Sequence, residues 1–254
     1  MRLLAVAWAV GLCVLAGCGG KAGGKAADEG GVMSAARPRA CLSGSFRRVG
    51  SAKVAFAAVV RSHATVSRRP GAVAFARFGK LNVNRVPTVF SIRGARIDAR
   101  CTPRWYLVQI AMRPNGVTGW IPASQVSVAT VKTRIVVDLS EKRVTLYRGG
   151  KRVLSTTAAI GAPATPTPTG RFYVNQRLIP YDSGGPFGPG AVGVSAFSNV
   201  LTGWTQGGPI AIHGTNAPWS IGKAVSNGCI RIPNEMLRRV FAQALNGTPV
   251  LIRR

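Results

Sequence analysis

The hydrophobic pattern changes character along the chain. Leu3 to Leu15 is an apolar run behind the positive charge of Arg2. It is too short to span a bilayer, and the small residues Ala16 and Gly17 close it, as at the end of a secretory signal. Residues 18–50 are rich in Gly, Ala, Lys and Arg with little periodicity and predict a flexible tether. From about Val54 the apolar residues fall into short runs broken by Gly and Pro, a strand pattern rather than a helical one.

Within residues 51–128 the clearest strands are Val86 to Ile92, Trp105 to Ile110 and Gly119 to Pro122, with a tight turn expected at Asn115-Gly116. A short linker over 129–133 leads into a second domain, 134–254. There Ile135 to Leu139, Arg143 to Tyr147 and Val153 to Ala159 alternate as strands. Pro166 to Gly170 forms a rigid turn before a strand at Arg171 to Val174. Residues 180–208 hold many Gly and Pro with scattered aromatics, which reads as one long connection of the kind used as a lid or substrate-binding segment. Asn234 is expected to cap a helix carrying Leu237, Val240, Phe241 and Ala244 at helical spacing, ended by Asn246-Gly247. Pro249 to Ile252 supplies a last strand. The expected class is mainly β with one helix, and about 120 residues suffice for an independent second core.

Composition adds compartment and charge. The formal net charge is +27, of which residues 134–254 carry +10. In a cytoplasmic protein such charge points to nucleic acid; export removes that partner and leaves anionic lipid headgroups or wall polymers. Of five cysteines, Cys13 lies in the signal and Cys18 at its end. Cys41 and Cys101 are then the candidate disulfide of an oxidising compartment, and Cys229 is left as a free thiol.

That thiol sits in Ser226-Asn227-Gly228-Cys229-Ile230-Arg231, sixteen residues after His213 in Ile212-His213-Gly214-Thr215. A thiol needs a base to react near neutral pH, and His213 is the candidate. The backbone N–H groups of Gly228 and Cys229 are candidate oxyanion donors, since glycine lets the main chain approach a substrate closely. Ser226 is a candidate hydrogen-bond donor beside the site. Arg231 suits a substrate carboxylate or the pinning of a local loop, and Tyr181 is a candidate substrate contact or a core residue. The only other histidine, His63, stands away from these motifs. Spacings for metal ligands, phosphate loops and dinucleotide folds are absent, so the chemistry requires no cofactor or metal.

Three resemblances follow from these residues. Leu15-Ala16-Gly17-Cys18 resembles a bacterial lipobox, which implies removal of residues 1–17, lipidation of Cys18 and a membrane-anchored protein facing the cell wall. The stretch Trp105 to Val126 looks like the end of an SH3-like β-barrel, a module that binds wall peptides or serves as a spacer. Residues 134–254 resemble the L,D-transpeptidase (YkuD) catalytic domain through Ile135 to Ser140, Pro166 to Phe172, Ile212 to Thr215 and Ser226 to Ile232. That resemblance implies a β-sandwich with one helix and a Cys229 thioester formed from a peptidoglycan tetrapeptide stem. D-alanine leaves, and a neighbouring stem's amine completes a 3→3 cross-link. It also implies that the Gly214 carbonyl orients His213. Many members carry a second histidine where this chain has Asn227. The alternatives are an L,D-carboxypeptidase using water, or a silent wall-binding lipoprotein; the expected state is a monomer.

Overall fold

The computed structural model describes residues 41–254; the expected signal peptide, Cys18 and most of the expected tether lie outside them. The upstream unit contains β1 (Phe46–Arg48), β2 (Ala55–Val60), β3 (His63–Ser67), β4 (Ala74–Gly79), β5 (Val89–Ile97), β6 (Pro103–Gln109), β7 (Thr118–Pro122) and β8 (Val126–Val131). They form one sheet in the order β4-β3-β7-β6-β5-β2-β8, with β1 also paired to β5. Alternation places Ala58, Val60, Phe90, Ile92, Val108 and Ile121 in a common core.

The expected tether ends earlier than residue 50. Cys41 is disulfide-bonded to Cys101, β1 pairs with β5, and Phe46 stacks edge-on against Trp120 at 5.8 Å. The polar sequence around these anchors concealed them. The linker expected at 129–133 also shrinks to Lys132, because Val131 still pairs with Ala55 and β9 begins at Thr133.

The downstream unit contains β9 (Thr133–Asp138), β10 (Arg143–Arg148), β11 (Lys151–Thr157), β12 (Ile160–Gly161), β13 (Gly170–Leu178), β14 (Ala191–Phe197), β15 (Pro209–His213), β16 (Ala224–Ser226), β17 (Ile230–Arg231), α1 (Asn234–Gln243) and β18 (Pro249–Arg253). The main sheet runs β11-β10-β9-β18-β13-β14-β15-β17, with β12 and β16 paired separately. Strand β13 is shared. Its first residues pair with β18 and its later ones with β14, across a register shift between Val174 and Gln176. Such an irregularity bends a strand and lets one sheet fold toward a second layer. Both halves and the inner face of α1 close over one core that includes Ile135, Val144, Phe172, Val194, Ile212 and Leu237. The protein is mainly β, as its sequence pattern predicts.

The segment 180–208 is not one connection. Strand β14 occupies its middle and is buried along nearly all its length. A strand covered on both faces lacks polar–apolar alternation, and Gly193 and Ser195 interrupt its hydrophobic run. Two loops remain, one on either side of β14.

Candidate active site

Strands β15 and β17 run parallel, with Ile212 opposite Ile230 and His213 opposite Arg231. The alternation that buries Ile212 and Ile230 completely turns His213 and Arg231 to the opposite face. Cys229 lies just before β17, beside Ala211. The far side of β17 is bounded by Ala159, whose backbone exchanges hydrogen bonds with Arg231 at 2.8 and 2.9 Å.

His213 is 4 % exposed. Its ring nitrogen Nδ1 lies 2.5 Å from the Gly214 carbonyl oxygen. A carbonyl only accepts, so Nδ1 carries the hydrogen and Nε2 is the basic nitrogen. Phe187, from the loop before β14, lies against the ring with centroids 4.9 Å apart. Burial pushes the His213 pKa down to about 4, with Gly214 opposing and Arg231 adding to the effect.

The Cys229 thiol is half-buried and donates weakly to the Pro209 carbonyl at 3.9 Å. Burial raises its pKa, only partly offset by the Ala211 backbone and the Arg231 charge. Both shifts favour the neutral thiol and neutral imidazole over a pre-formed thiolate–imidazolium pair. His213 suits a base that takes the thiol proton during attack.

The loop that carries Cys229 is held from behind. Gly228 adopts φ +104°, the left-handed region, with Ile210 3.0 Å from where a Cβ would stand. Ser226 Oγ donates to the Cys229 carbonyl at 2.5 Å and accepts from the Gly228 N–H at 3.2 Å. The Gly228 N–H is thus committed to the loop rather than free for an oxyanion. The Cys229 N–H makes no hydrogen bond among the described residues and is the better donor of the two. Asn227 is exposed. Tyr181 is fully exposed. The Arg231 Nε is buried without a partner among the described residues.

Other positioning residues escaped sequence reasoning. Thr167 Oγ1 donates to the Gly228 carbonyl and accepts from the Gly161 N–H, both at 2.9 Å. Thr165 Oγ1 donates to the Ser226 carbonyl at 2.9 Å. The segment from Thr165 to Thr167 is therefore a clamp on the loop that carries Cys229; hydroxyls alternating with prolines were the available signal. Asn234 does not cap α1 with its side chain. It is the first helical residue, and its Oδ1 accepts the Thr215 N–H at 2.7 Å. That bond fixes the turn after His213, where Gly214 is required because a Cβ would strike Asn234.

Comparison with known proteins places these residues in a wider set. Residues 132–252 match the family model described as the L,D-transpeptidase catalytic domain, YkuD. The chain is 38 % identical over 125 residues to the putative L,D-transpeptidase YkuD of Bacillus subtilis, covering 49 % of this chain and 68 % of that protein. It is 27 % identical over 146 residues to the probable L,D-transpeptidase YcfS of Escherichia coli, covering 46 % of this chain and 43 % of that one. Among solved structures, the catalytic domain of an Enterococcus faecium L,D-transpeptidase is 28 % identical, with a TM-score of 0.35, over 47 % of this chain and 95 % of that domain.

Proposed function

The chain belongs to the L,D-transpeptidase (YkuD) family, and on that premise we propose that it cross-links peptidoglycan stems through a Cys229 thioester. The observation that carries this is the shared face of β15 and β17, where a tautomer-fixed His213 stands opposite Arg231, two residues along from Cys229. Nε2 of His213 takes the thiol proton as sulfur attacks the carbonyl of the third stem residue. The Cys229 N–H faces the developing oxyanion. The carbon–nitrogen bond to D-alanine breaks, and the imidazolium returns its proton to the departing amine. Arg231 holds the D-alanine carboxylate in a fork geometry. An amine from a second stem then attacks the thioester, forming the 3→3 amide and restoring the thiol.

The upstream unit is read as an SH3-like module that serves as a spacer or wall contact. Cys18 is read as the site of lipid attachment, which places the enzyme on the outer face of the membrane beside its polymer. Both follow from the sequence resemblances. Muropeptide mass spectrometry after incubation with tetrapeptide stems tests the central proposal. Dimers linked 3→3 are expected from the native protein and none from Cys229→Ala. Tripeptide monomers without dimers would identify a carboxypeptidase instead, and dimers from the alanine variant would overturn the thioester.

A further inference from the structure

Strands β9, β18 and β13 lie side by side in the main sheet of the downstream unit. Ile135, Val250 and Phe172 turn into its core, so their neighbours Arg134, Pro249 and Arg171 share the opposite face. That face meets the upstream unit over a cavity of about 340 Å³. The volume falls in the range of ligand sites, roughly 300–1,000 Å³. From the upstream side, strand β5 adds Arg93 to the lining, and the loop between β1 and β2 adds Lys53.

Three arginines and a lysine thus line one space, supplied by three strands and a loop, and the lining holds no Asp or Glu. The ion pairs among the described residues are Arg143 with Glu141 and Arg253 with Asp138, none of which lines the cavity. Neutral groups hold the four cations in place without cancelling their charge. Arg93 donates to Gln109 Oε1. Arg134 lies over the Tyr147 ring, 4.8 Å from its centroid. The stem of Lys53 rests against Gly150 of the β10–β11 turn, where a Cβ would stand 3.2 Å from its Cγ. Arg171 is exposed, and its side chain makes no hydrogen bond among the described residues.

The loop over the cavity is formed in advance. Ser51 Oγ accepts the Lys53 and Val54 N–H groups, both at 3.2 Å, while the Ser51 N–H donates to the Val54 carbonyl at 2.7 Å. Burial lowers the Arg93 pKa; Tyr173 opposes that shift and the Arg171 charge adds to it. Arg93 and Arg171 therefore stand close enough to repel one another. Dissolved salt screens the exposed Arg171 and Lys53, but screens the half-buried Arg93 and Arg134 less well. Like charges gathered at the seam of two units are unfavourable until an anion lies between them.

A carboxylate is planar and is satisfied by one guanidinium fork, whereas phosphate presents oxygens in several directions. Cations converging from four elements match the second. We propose that the seam cavity is a binding site for a phosphate group, clasped by Arg93, Arg134, Arg171 and Lys53. Each unit supplies one side of the clasp, so binding also ties the upstream unit to the downstream sheet. Cys229 is not on the lining, and the site is independent of the thioester proposal. The phosphate of a lipid headgroup and that of a soluble ester share this chemistry, and the experiment separates them.

The test compares the full chain with two charge-matched double variants. Lys53→Gln with Arg171→Gln removes two exposed cations of the cavity, and Arg238→Gln with Arg239→Gln removes two from the outer face of α1. Calorimetric titration with glycerol phosphate at low ionic strength is expected to show binding to the native chain. The α1 variant and Cys229→Ala should bind as tightly, and the cavity variant about tenfold more weakly. Equal affinity in the two double variants, or no binding of glycerol phosphate to the native chain, overturns the site. Displacement by chloride as effective as by inorganic phosphate marks an adventitious ion only, and overturns it too. Sedimentation with phosphatidylglycerol vesicles, against phosphatidylcholine vesicles, supplies the second arm. Vesicle binding lost in the cavity variant and kept in the α1 variant supports the site and assigns it to lipid. Vesicle binding equal in both, beside weakened glycerol phosphate binding in the cavity variant, supports the site and assigns it to a soluble ester.

Discussion

The Nδ1–H of His213 points at the Gly214 carbonyl from 2.5 Å, so the imidazole is oriented without a carboxylate. The arrangement determines how activity should follow pH. Burial lowers the His213 pKa to about 4 and raises that of Cys229. The acid limb of kcat/KM is expected well below the ordinary histidine value of about 6.5, with no loss of activity between pH 6 and 7. Alkylation of the thiol should keep accelerating above pH 9 instead of levelling off near neutrality. A plateau at pH 7 would mean a resting thiolate.

The same shift has a thermodynamic consequence. Between the folded value of about 4 and the ordinary value of about 6.5 the unfolded chain binds a proton that the folded chain refuses. Stability therefore falls as pH drops through that window. Chemical denaturation of His213→Gln, which cannot titrate, should show a shallower decline there than the native protein. Identical slopes would show that His213 is not the titrating group.

Thr167→Val should loosen the loop that carries Cys229. The change leaves the Gly228 carbonyl and the Gly161 N–H without their shared partner in a buried place. A loss of about 1–3 kcal/mol in unfolding free energy is expected, together with a fall in kcat larger than any rise in KM. Thr167→Ser keeps the hydroxyl and should recover most of the rate.

Asn234→Ala removes the acceptor of the Thr215 N–H. Because that bond holds the turn carrying the Gly214 carbonyl, the imidazole loses its fixed tautomer. The acid limb of the pH profile should move and kcat should fall about tenfold. Asn234→Asp retains an oxygen at the same place and should restore the profile; a stability loss with the profile unmoved would reduce Asn234 to a structural role.

The disulfide closes a loop of 60 residues. In the chain-entropy model that constraint is worth roughly 4 kcal/mol, so Cys41→Ala with Cys101→Ala should lower Tm by on the order of 10 °C. Reductant should do the same to the native chain and leave the double variant unaffected.

The mainly β character and the single helix were legible because their signals are local. Alternation reports β9 and β10 directly, and Leu237, Val240 and Ala244 report the buried face of α1. Strand β14 was not legible, since burial on both faces erases the pattern that marks a half-exposed strand. At the site, Cys229 and His213 drew notice as candidates through their types and spacing. What holds them did not. Asn234 lies 19 residues from Thr215, and Thr167 lies 61 from Gly228; both act on backbone atoms, which carry no sequence signature. Joining the two units depends on pairs still more distant, such as Asn84 with Gln206.

The meeting of the two units also constrains how this chain can be cut. The Asn115 side-chain amide sits on Phe197 as a neighbouring strand would, with its Oδ1 accepting the Phe197 N–H and its Nδ2 donating to the Phe197 carbonyl, both at 2.8 Å. Arg113 donates to the carbonyls of Ser198 and Gly207 alongside it. A fragment beginning at Thr133 would bare this row of main-chain donors and acceptors at the end of β14, a ready template for another copy of itself. Expressed alone, the catalytic half should be prone to self-assembly through that open rim, whatever becomes of its thiol.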